Sequence, residues 1–346
     1  RMMVRRGPAP GSRDWLHRRN GGQRRDRGAR HRRGWEQSAP KPFFFVAVEK
    51  GACPDRRPLD AKDLHDRIAH DRVTAQLELQ LEVVSDYLFV GSGGWEVKDG
   101  KAYRTFYRRG DDICIPAASI RGAVRAVYEA ITNSCVSQTS WRGLPRSYQQ
   151  RKCRIDGQGL CPACRLFGTT GYAGRIRFSD ALPLRAETEL VGLPQARPPQ
   201  KEPAEHSRDK VQMGPYDIPL RKFYFPGTET TAGNRGSIHE AVTKGAEFAF
   251  SLSVTNMRED EMAALLVAAG LMYMRGRRVL LKIGGAKPRC FGTVRLGIRR
   301  VLLWYRQQQP VERFLARFAN AFGLVDTAVA EWLCDARASQ CPQNLY

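Results

Sequence analysis

Apolar and polar residues alternate along several segments of the chain, and this alternation predicts β-strands. The clearest segment is residues 76–83, where Leu77, Leu79, Leu81 and Val83 alternate with Gln and Glu. A period of two buries one face of a strand and exposes the other. Similar patterns or short apolar runs predict further strands over residues 43–48, 103–108, 174–179, 220–225, 247–255 and 293–303.

Helices are predicted where apolar residues recur every three or four positions. The apolar residues of segment 119–131 share one helical face, and Pro116 stands just before it. Asn256, with Glu259 three residues later, resembles a capping box that would open a helix reaching about residue 274. A last helix is expected to begin at Pro310.

Without its insertions, the order of predicted elements is strand, helix, strand, strand, helix, strand. This order predicts an α+β fold with a ferredoxin-like (RRM-like) split βαβ core. We expect residues 41–305 to form this domain, with a cysteine-rich segment at 135–168 and a long insertion at 183–245. Residues 1–40 are expected to be a disordered Arg-rich arm or linker, and residues 306–346 a C-terminal helical segment.

The charge of the chain points to a polyanionic partner. Lys plus Arg number 57 against 35 Asp plus Glu, a formal net charge of +22, and nucleic acid is the leading candidate. The longest uncharged apolar run, residues 262–274, is shorter than the roughly 20 residues that span a membrane. We therefore expect no membrane partner and a cytoplasmic location.

Four cysteines have a spacing that suits a metal ion. Cys161 and Cys164 form a Cys-x-x-Cys turn, and Cys153 and Cys135 lie upstream. Four thiolates can hold one tetrahedral, structural zinc. The alternatives are a redox dithiol or simple buried cysteines, and Cys135 is the most distant candidate ligand.

Three segments combine glycine, basic residues or a helix start in ways that favour binding of a phosphate chain. Gly91 and Gly93 permit a ligand to approach the protein backbone closely. Arg121 and Gly122 fall early in a predicted helix, where amides and the helix dipole attract anions. Residues 282–292 form a glycine-rich basic loop, although glycine is also common in ordinary turns.

Four motifs in this order resemble the CRISPR-associated RAMP superfamily, specifically the backbone subunits of type III effector complexes. Residues 115–122, Ile-Pro-Ala-Ala-Ser-Ile-Arg-Gly, look like the family's Ile-Pro-Gly-Ser-Ser-Leu-(Arg/Lys)-Gly. Residues 161–168 and 177–181 look like its Cys-Pro-x-Cys-x-Leu-Phe-Gly and Phe-x-Asp-Ala elements. Residues 284–294 are similar to its C-terminal glycine-rich loop.

The chain also departs from these motifs. Ala117 and Ala118 replace the expected Gly and Ser, and Arg289 and Cys290 replace a small residue and Gly. The resemblance spans about residues 77–303.

The resemblance implies a subunit that lies along guide CRISPR RNA, contacts the duplex of guide and target RNA, and assembles with other RAMP subunits or domains. A thumb-like hairpin of the family would come from residues 183–245. Tyr216, Phe223 and Tyr224 either stack on bases or pack within the insertion. The residues expected to contact RNA are Gly91, Gly93, Ser119, Arg121, Gly122, Arg125, Arg165, Arg175, Arg177, Gly284, Gly285, Lys287 and Arg289.

Whether the chain is an enzyme stays open. In catalytic members an Asp between the first strand and first helix supports metal-dependent cleavage of target RNA, with the 2'-hydroxyl as nucleophile. Asp99 is the candidate here, with Asp111 or Asp112 as the fallback and Mg or Mn as the metal. Such Asp residues more often make turns.

Two other functions are considered. One is a RAMP endoribonuclease that processes guide RNA with a His as general base, for which His65, His70 and His239 are available. The other is a zinc-ribbon nucleic-acid-binding module without catalysis.

Overall fold

The computed structural model describes residues 43–48, 55–137, 144, 146–193, 211–213, 219–230, 236–303 and 307–334. Its strands are β1 (Phe43–Ala47), β2 (Val73–Val83), β3 (Tyr87–Leu88), β4 (Gly91–Lys98), β5 (Lys101–Phe106), β6 (Arg108–Arg109), β7 (Asp112–Ile113), β8 (Gly168–Thr169), β9 (Tyr172–Ala173), β10 (Ile176–Phe178), β11 (Leu182–Arg185), β12 (Thr188–Leu193), β13 (Val211–Met213), β14 (Pro219–Tyr224), β15 (Ser237–Thr243), β16 (Glu247–Met257), β17 (Leu281–Lys282), β18 (Thr293–Leu303) and β19 (Gln308–Gln309). Its helices are α1 (Ala117–Ile131), α2 (Pro162–Phe167), α3 (Glu259–Ala268), α4 (Val311–Ala316) and α5 (Thr327–Cys334).

This is a mixed α+β fold, as the alternating and helical patterns predicted. The central sheet has the order β10-β16-β2-β18-β17, with β11 added on β16 and β19 on β18. β2 lies between β16 and β18 and pairs antiparallel with both. Leu77, Leu79 and Leu81 are almost completely buried, so the strand buries the face that its period of two predicted.

Several predicted boundaries agree with the structure. β18 has the predicted bounds, and β2 begins three residues earlier than expected, at Val73. Helix α1 begins at Ala117 rather than residue 119. The short helix of residues 311–316 places Phe314 against Phe318, with ring centroids 5.1 Å apart in the core. None of the described helices is long and apolar enough to span a bilayer.

The capping prediction at Asn256 is wrong. Asn256 has a left-handed backbone (φ 50°), and its side chain accepts a hydrogen bond from the Ala69 amide and donates to the Arg67 carbonyl. Arg258 instead precedes the first turn of α3, and its backbone amide donates to Glu261 Oε2 at 3.1 Å. Asn256 therefore fixes a distant loop, and α3 ends at Ala268, before residue 274.

The insertion at 183–245 holds more regular structure than its composition suggested. We expected one short strand, which is β14, but β12 and β15 also belong to a sheet of order β12-β15-β5-β4. β14 lies between β1 and β13 in a separate three-stranded sheet. The buried residues of β12 and β15 are consecutive, so these two strands lack the alternation that predicts a strand. The predicted arm at 1–40 lies outside the described residues.

Candidate nucleic-acid interface

Three separate segments line one groove of about 660 Å³. The first is the start of β4, the second is the exposed side of α1, and the third is the loop that follows β17. The predicted RNA-binding residues that line this groove are Gly91, Ser119, Gly122, Gly284, Gly285 and Lys287. The structure thus brings together residues that lie up to about two hundred positions apart in the sequence.

Helix α1 presents small residues to the groove, which leave its backbone approachable. Ser119 and Gly122 line the groove beside alanines at 118, 123 and 126. A Cβ built on Gly122 would meet no atom within 4 Å, so this glycine faces open space. At the helix start, however, the amide of Ala117 donates to Asp180 Oδ1 at 2.8 Å. A carboxylate already occupies that amide, where we had expected a phosphate.

The glycine-rich loop uses its glycines for close packing within the protein. Gly284 has φ 79°, and a Cβ there would lie 2.1 Å from the Phe89 carbonyl oxygen. The amide of Gly285 donates to the same oxygen at 2.8 Å. Cys290, which stands where the resemblance expects Gly, keeps the left-handed backbone with φ 62°. These contacts fix the loop against the segment that precedes β4.

The groove carries an excess of positive charge. Its described lining contains Arg221, Lys222, Lys282 and Lys287 against one acid, Glu129. Glu129 is itself buried and accepts a hydrogen bond from Arg125 Nε at 2.8 Å. The lining therefore suits an anion. The sequence analysis included residue 282 in its glycine-rich basic loop but did not identify residues 221 and 222.

Lys282 has an unusual ionisation. Burial and, to a smaller extent, the nearby charge of Lys287 together lower the pKa of its ammonium to about 7. Its Nζ donates to Thr293 Oγ1 at 3.0 Å. A bound phosphate would offset both unfavourable effects and favour the charged form.

Aromatic residues of two strands complete the groove. Phe223 on β14 stacks on Phe44 of β1, with ring centroids 5.9 Å apart. The Lys222 Nζ lies 3.8 Å from the ring centroid of Phe43. Phe223 therefore packs against the neighbouring strand, and both Phe223 and Tyr224 line the groove. Tyr216 lies outside the described residues.

Two arginines that we expected to bind RNA lie in the interior, which corrects that expectation. The Arg175 Nη2 donates to both carboxylate oxygens of Glu261 at 2.8 Å, and Nη1 lies 3.1 Å from Asp63 Oδ1. Arg165 Nε lies 3.4 Å from Glu261 Oε1, and both side chains are 1% exposed or less. Their charges are matched by buried carboxylates and are withheld from solvent.

The remaining predicted contacts are scattered. Arg121 and Arg125 both lie over the ring of Phe167, at 5.8 and 5.7 Å, and so join α1 to α2. Arg125 is buried, which leaves its guanidinium no surface for RNA. Arg177 is exposed on β10, whereas Arg289 is buried. Gly93 is exposed within β4, which is a strand where we expected a loop.

The four cysteines form one buried cluster. Their sulfur atoms all lie within 4.8 Å of one another, with Cys135 Sγ 3.4 Å from Cys164 Sγ and 3.5 Å from Cys161 Sγ. A tetrahedral zinc with Zn–S bonds of about 2.3 Å separates its sulfurs by about 3.8 Å. The cluster can therefore hold a zinc ion after a small adjustment.

The four thiols ionise unevenly: the pKa values of Cys153 and Cys161 lie below the ordinary thiol value, and those of Cys135 and Cys164 lie above it. Hydrogen bonds from Cys135 and the other two thiols hold the pKa of Cys153 far below its ordinary value. Arg56 Nε also donates to Cys153 Sγ at 3.3 Å. A cation beside a metal thiolate offsets part of the negative charge of a four-cysteine site.

The candidate catalytic acids lie on hairpins. Asp99 and Gly100 form the two-residue turn between β4 and β5, with φ 52° and 73°, which matches a type I′ turn. Asp111 and Asp112 are exposed on the β6–β7 hairpin. None of the three lines the groove. Within the described part of the chain, the cysteine cluster is the one grouping of three or more metal-ligating residues, so a Mg or Mn site has no support there.

Fold and groove together define a mixed α+β protein with a basic, glycine-lined groove and a four-cysteine cluster. A family model of the RAMP superfamily matches residues 80–295, more than half of the chain. The chain therefore belongs to the RAMP superfamily, the family of CRISPR-associated proteins that its motifs resemble. No curated protein matches the chain.

Proposed function

We propose that this chain is a guide-RNA-binding backbone subunit of a type III CRISPR effector complex. The observation that carries the proposal is the convergence of three separated motifs on one basic groove, through Gly91, Gly122 and Lys287. Lysine and arginine neutralise phosphates, and the small side chains of α1 let a sugar-phosphate chain approach the backbone of the helix. The groove binds guide RNA, and the guide then pairs with target RNA.

The order of the core elements supports a ferredoxin-like domain around this groove. In chain order the elements are β2, α1, β10, β16, α3 and β18, and in the sheet the strands run β10-β16-β2-β18. This is the strand order of a split βαβ fold. The domain limits of 41–305, the arm at 1–40 and the helical segment at 306–346 belong to the same proposal.

Zinc acts as a structural brace in this proposal. Cys135 follows α1, while Cys161 and Cys164 flank the start of α2. A zinc held by these residues and Cys153 would tie α2 to the helix that forms one wall of the groove. Structural zinc contributes about 10–16 kcal/mol of apparent binding energy in small domains, enough to order a polar segment.

The insertion at 183–245 supplies the thumb and the surfaces for neighbouring RAMP subunits. Its strand β12 pairs with β15, which in turn pairs with β5 of the β4–β5 hairpin. β12 and β15 of the insertion therefore form one sheet with the hairpin. A sheet of this kind is suited to reach a guide-target duplex that leaves the groove.

Target cleavage is an extension of the proposal, with Asp99 as the candidate acid and Asp111 or Asp112 as the fallback. Asp99 lies between β2 and α1, as the family's acid does, and it is exposed at the tip of its hairpin. Its carboxylate can therefore approach a target strand and a Mg or Mn ion brought with the RNA.

The other two functions have less support. His65 Nε2 and His239 Nδ1 lie within 2.9 Å of backbone carbonyls, and neither histidine lines the groove, so a histidine-based guide-processing ribonuclease is disfavoured. The four cysteines pack in the same hydrophobic cluster as the central sheet, whereas a zinc-ribbon module would fold by itself.

The direct test is to purify the chain from cells that express a CRISPR array and to sequence the RNA that copurifies. We expect guide RNAs that carry repeat-derived sequence. Protein that is free of RNA, and that does not bind guide RNA added later, would contradict the proposal.

A further inference from the structure

A second basic surface lies on the cysteine segment. A cavity of about 810 Å³ has eight described lining residues, of which five are basic and none is acidic. The basic residues are Arg56, Arg146, Arg151, Lys152 and Arg154. Among the described residues, none lines both this cavity and the groove. We call this surface the knuckle face.

The backbone of the knuckle face is firmly held. Two short 3-10 turns, Arg146–Tyr148 and Gln150–Lys152, carry three of its cations. Tyr148 is fully buried, and its hydroxyl donates to Asn133 Oδ1 at 2.7 Å. The amide of Cys153, which follows the second turn, donates to the Gln150 carbonyl at 2.8 Å. The buried tyrosine and the cysteine cluster thus fix both turns.

The cations of the knuckle face differ in their existing contacts. Arg56 bonds to Cys153 Sγ and to a backbone carbonyl, so it serves the cysteine cluster. Arg154 forms an exposed ion pair with Asp156 at 2.8 Å. Arg146, Arg151 and Lys152 have exposed side chains, and Arg151 Nε donates to Gln149 Oε1 at 2.7 Å. Cations held together by a rigid backbone repel one another, and a chain of phosphates relieves that repulsion.

We propose that the knuckle face binds the phosphates of RNA outside the groove, so that the subunit holds RNA at two places. The inference rests on the proposed function only for the choice of RNA as the polyanion. The described lining offers Arg, Lys, Ser, Gly and Gln side chains and no aromatic ring. This composition suits backbone phosphates and gives little base selectivity.

The test compares three triple variants of the full chain, in each of which three basic residues are replaced by Gln. The first removes the knuckle face (Arg146→Gln, Arg151→Gln, Lys152→Gln), and the second removes the groove (Lys222→Gln, Lys282→Gln, Lys287→Gln). The third is a control at exposed positions that line neither cavity (Arg275→Gln, Arg299→Gln, Arg313→Gln). Affinity for a fluorescent single-stranded RNA is measured over a range of salt concentrations.

The knuckle-face variant should bind RNA about tenfold more weakly than the control variant at low salt, with a salt dependence that is shallower by about 2, since each lost contact to a single strand removes about 0.7. Its zinc content and unfolding midpoint should equal those of the control. Equal affinity and salt slope in these two variants would overturn the inference. Binding of polyglutamate, a polyanion without phosphates, is measured in parallel. A knuckle-face variant that loses polyglutamate binding but binds RNA as the control does would also overturn it.

The groove variant separates this inference from the proposed function. If only the groove variant loses RNA binding, the knuckle-face inference is wrong and the assignment of RNA to the groove stands. Loss in the knuckle-face variant alone supports the inference and removes the groove assignment. Loss in both supports both sites.

Discussion

In the protein interior, Arg175 donates from Nη2 to both carboxylate oxygens of Glu261, each at 2.8 Å. Neither side chain has any solvent exposure. Arg175 precedes β10 and Glu261 lies in the first turn of α3, so the pair ties that helix to the edge of the central sheet. Breaking a buried ion pair from one side leaves an uncompensated charge.

Replacing Arg175 should therefore destabilise the fold strongly. We expect Arg175→Gln to lower the free energy of unfolding by about 3–5 kcal/mol, the range for one-sided loss of a buried pair. Arg177→Gln, two residues further on and exposed, should change it by less than about 0.5 kcal/mol. Urea unfolding of both variants gives the comparison. Equal effects would mean that the buried pair does not contribute to stability.

The pair of Arg175 and Glu261 is also a contact that could not be predicted from the sequence. Arg175 looked like an RNA contact because it alternates with apolar residues beside Arg177, and its partner Glu261 lies 86 positions away. By contrast, β2 and β18 were predictable because their alternation is local and continuous. Strands such as β12 and β15 were missed because their buried residues are consecutive, so their sequences lack the alternation of apolar and polar residues.

The groove was partly predictable for the same reason. Its glycines, Ser119 and Lys287 fall in local motifs, so the sequence identified them. Lys282 begins the same glycine-rich basic loop as Lys287, whereas Lys222 carries no such signal, because only the folding of β14 beside α1 brings it to the groove.

Zinc should be an intrinsic part of the fold. Metal analysis of purified protein should find about one zinc per chain, and Cys164→Ser should lose most of it and unfold at lower temperature. Cys114→Ser changes a buried cysteine outside the cluster and should keep the metal. Protein that is free of zinc yet folds with the same stability would refute the ligand assignment.

RNA binding should strengthen as the pH falls because of Lys282. Burial lowers its pKa to about 7 in the free protein, so at pH 8 the side chain is mostly neutral. A bound phosphate raises this pKa, and RNA binding is then accompanied by uptake of a proton. If the bound pKa is about 10, affinity should rise about tenfold from pH 8 to pH 6 through this group.

Lys282→Gln should remove that part of the pH dependence, while Lys101→Gln, which is exposed on β5, should retain it. Binding isotherms at constant salt measure both variants. An unchanged pH dependence in Lys282→Gln would show that phosphate does not reach this residue.

Cleavage of target RNA can be tested without disturbing the turn that Asp99 forms. Asn tolerates a left-handed backbone nearly as well as Asp, so Asp99→Asn removes the negative charge and keeps the hairpin. We expect loss of metal-dependent cutting with unchanged RNA affinity. Asp111→Asn and Asp112→Asn serve as comparisons, and undiminished cutting in Asp99→Asn would transfer the role to them or remove it.

Substitutions at two glycines distinguish an effect on the stability of the protein from an effect on the space inside its groove. Gly284→Ala should destabilise the fold by about 2 kcal/mol or more, because its φ of 79° is unfavourable for Ala and the new Cβ would lie 2.1 Å from the Phe89 carbonyl. Gly122 lies within α1 and faces open space. Gly122→Leu should instead leave the fold intact or stabilise it by about 0.5–1 kcal/mol, while its side chain fills the groove.

The affinity of Gly122→Leu for guide RNA is the most direct test of the central claim that RNA lies in this groove. If it does, binding should weaken by about tenfold or more, a loss of at least about 1.4 kcal/mol, with Gly122→Ala in between and the unfolding midpoint not reduced. A Gly122→Leu protein that is folded and binds guide RNA as tightly as the wild type would contradict the claim.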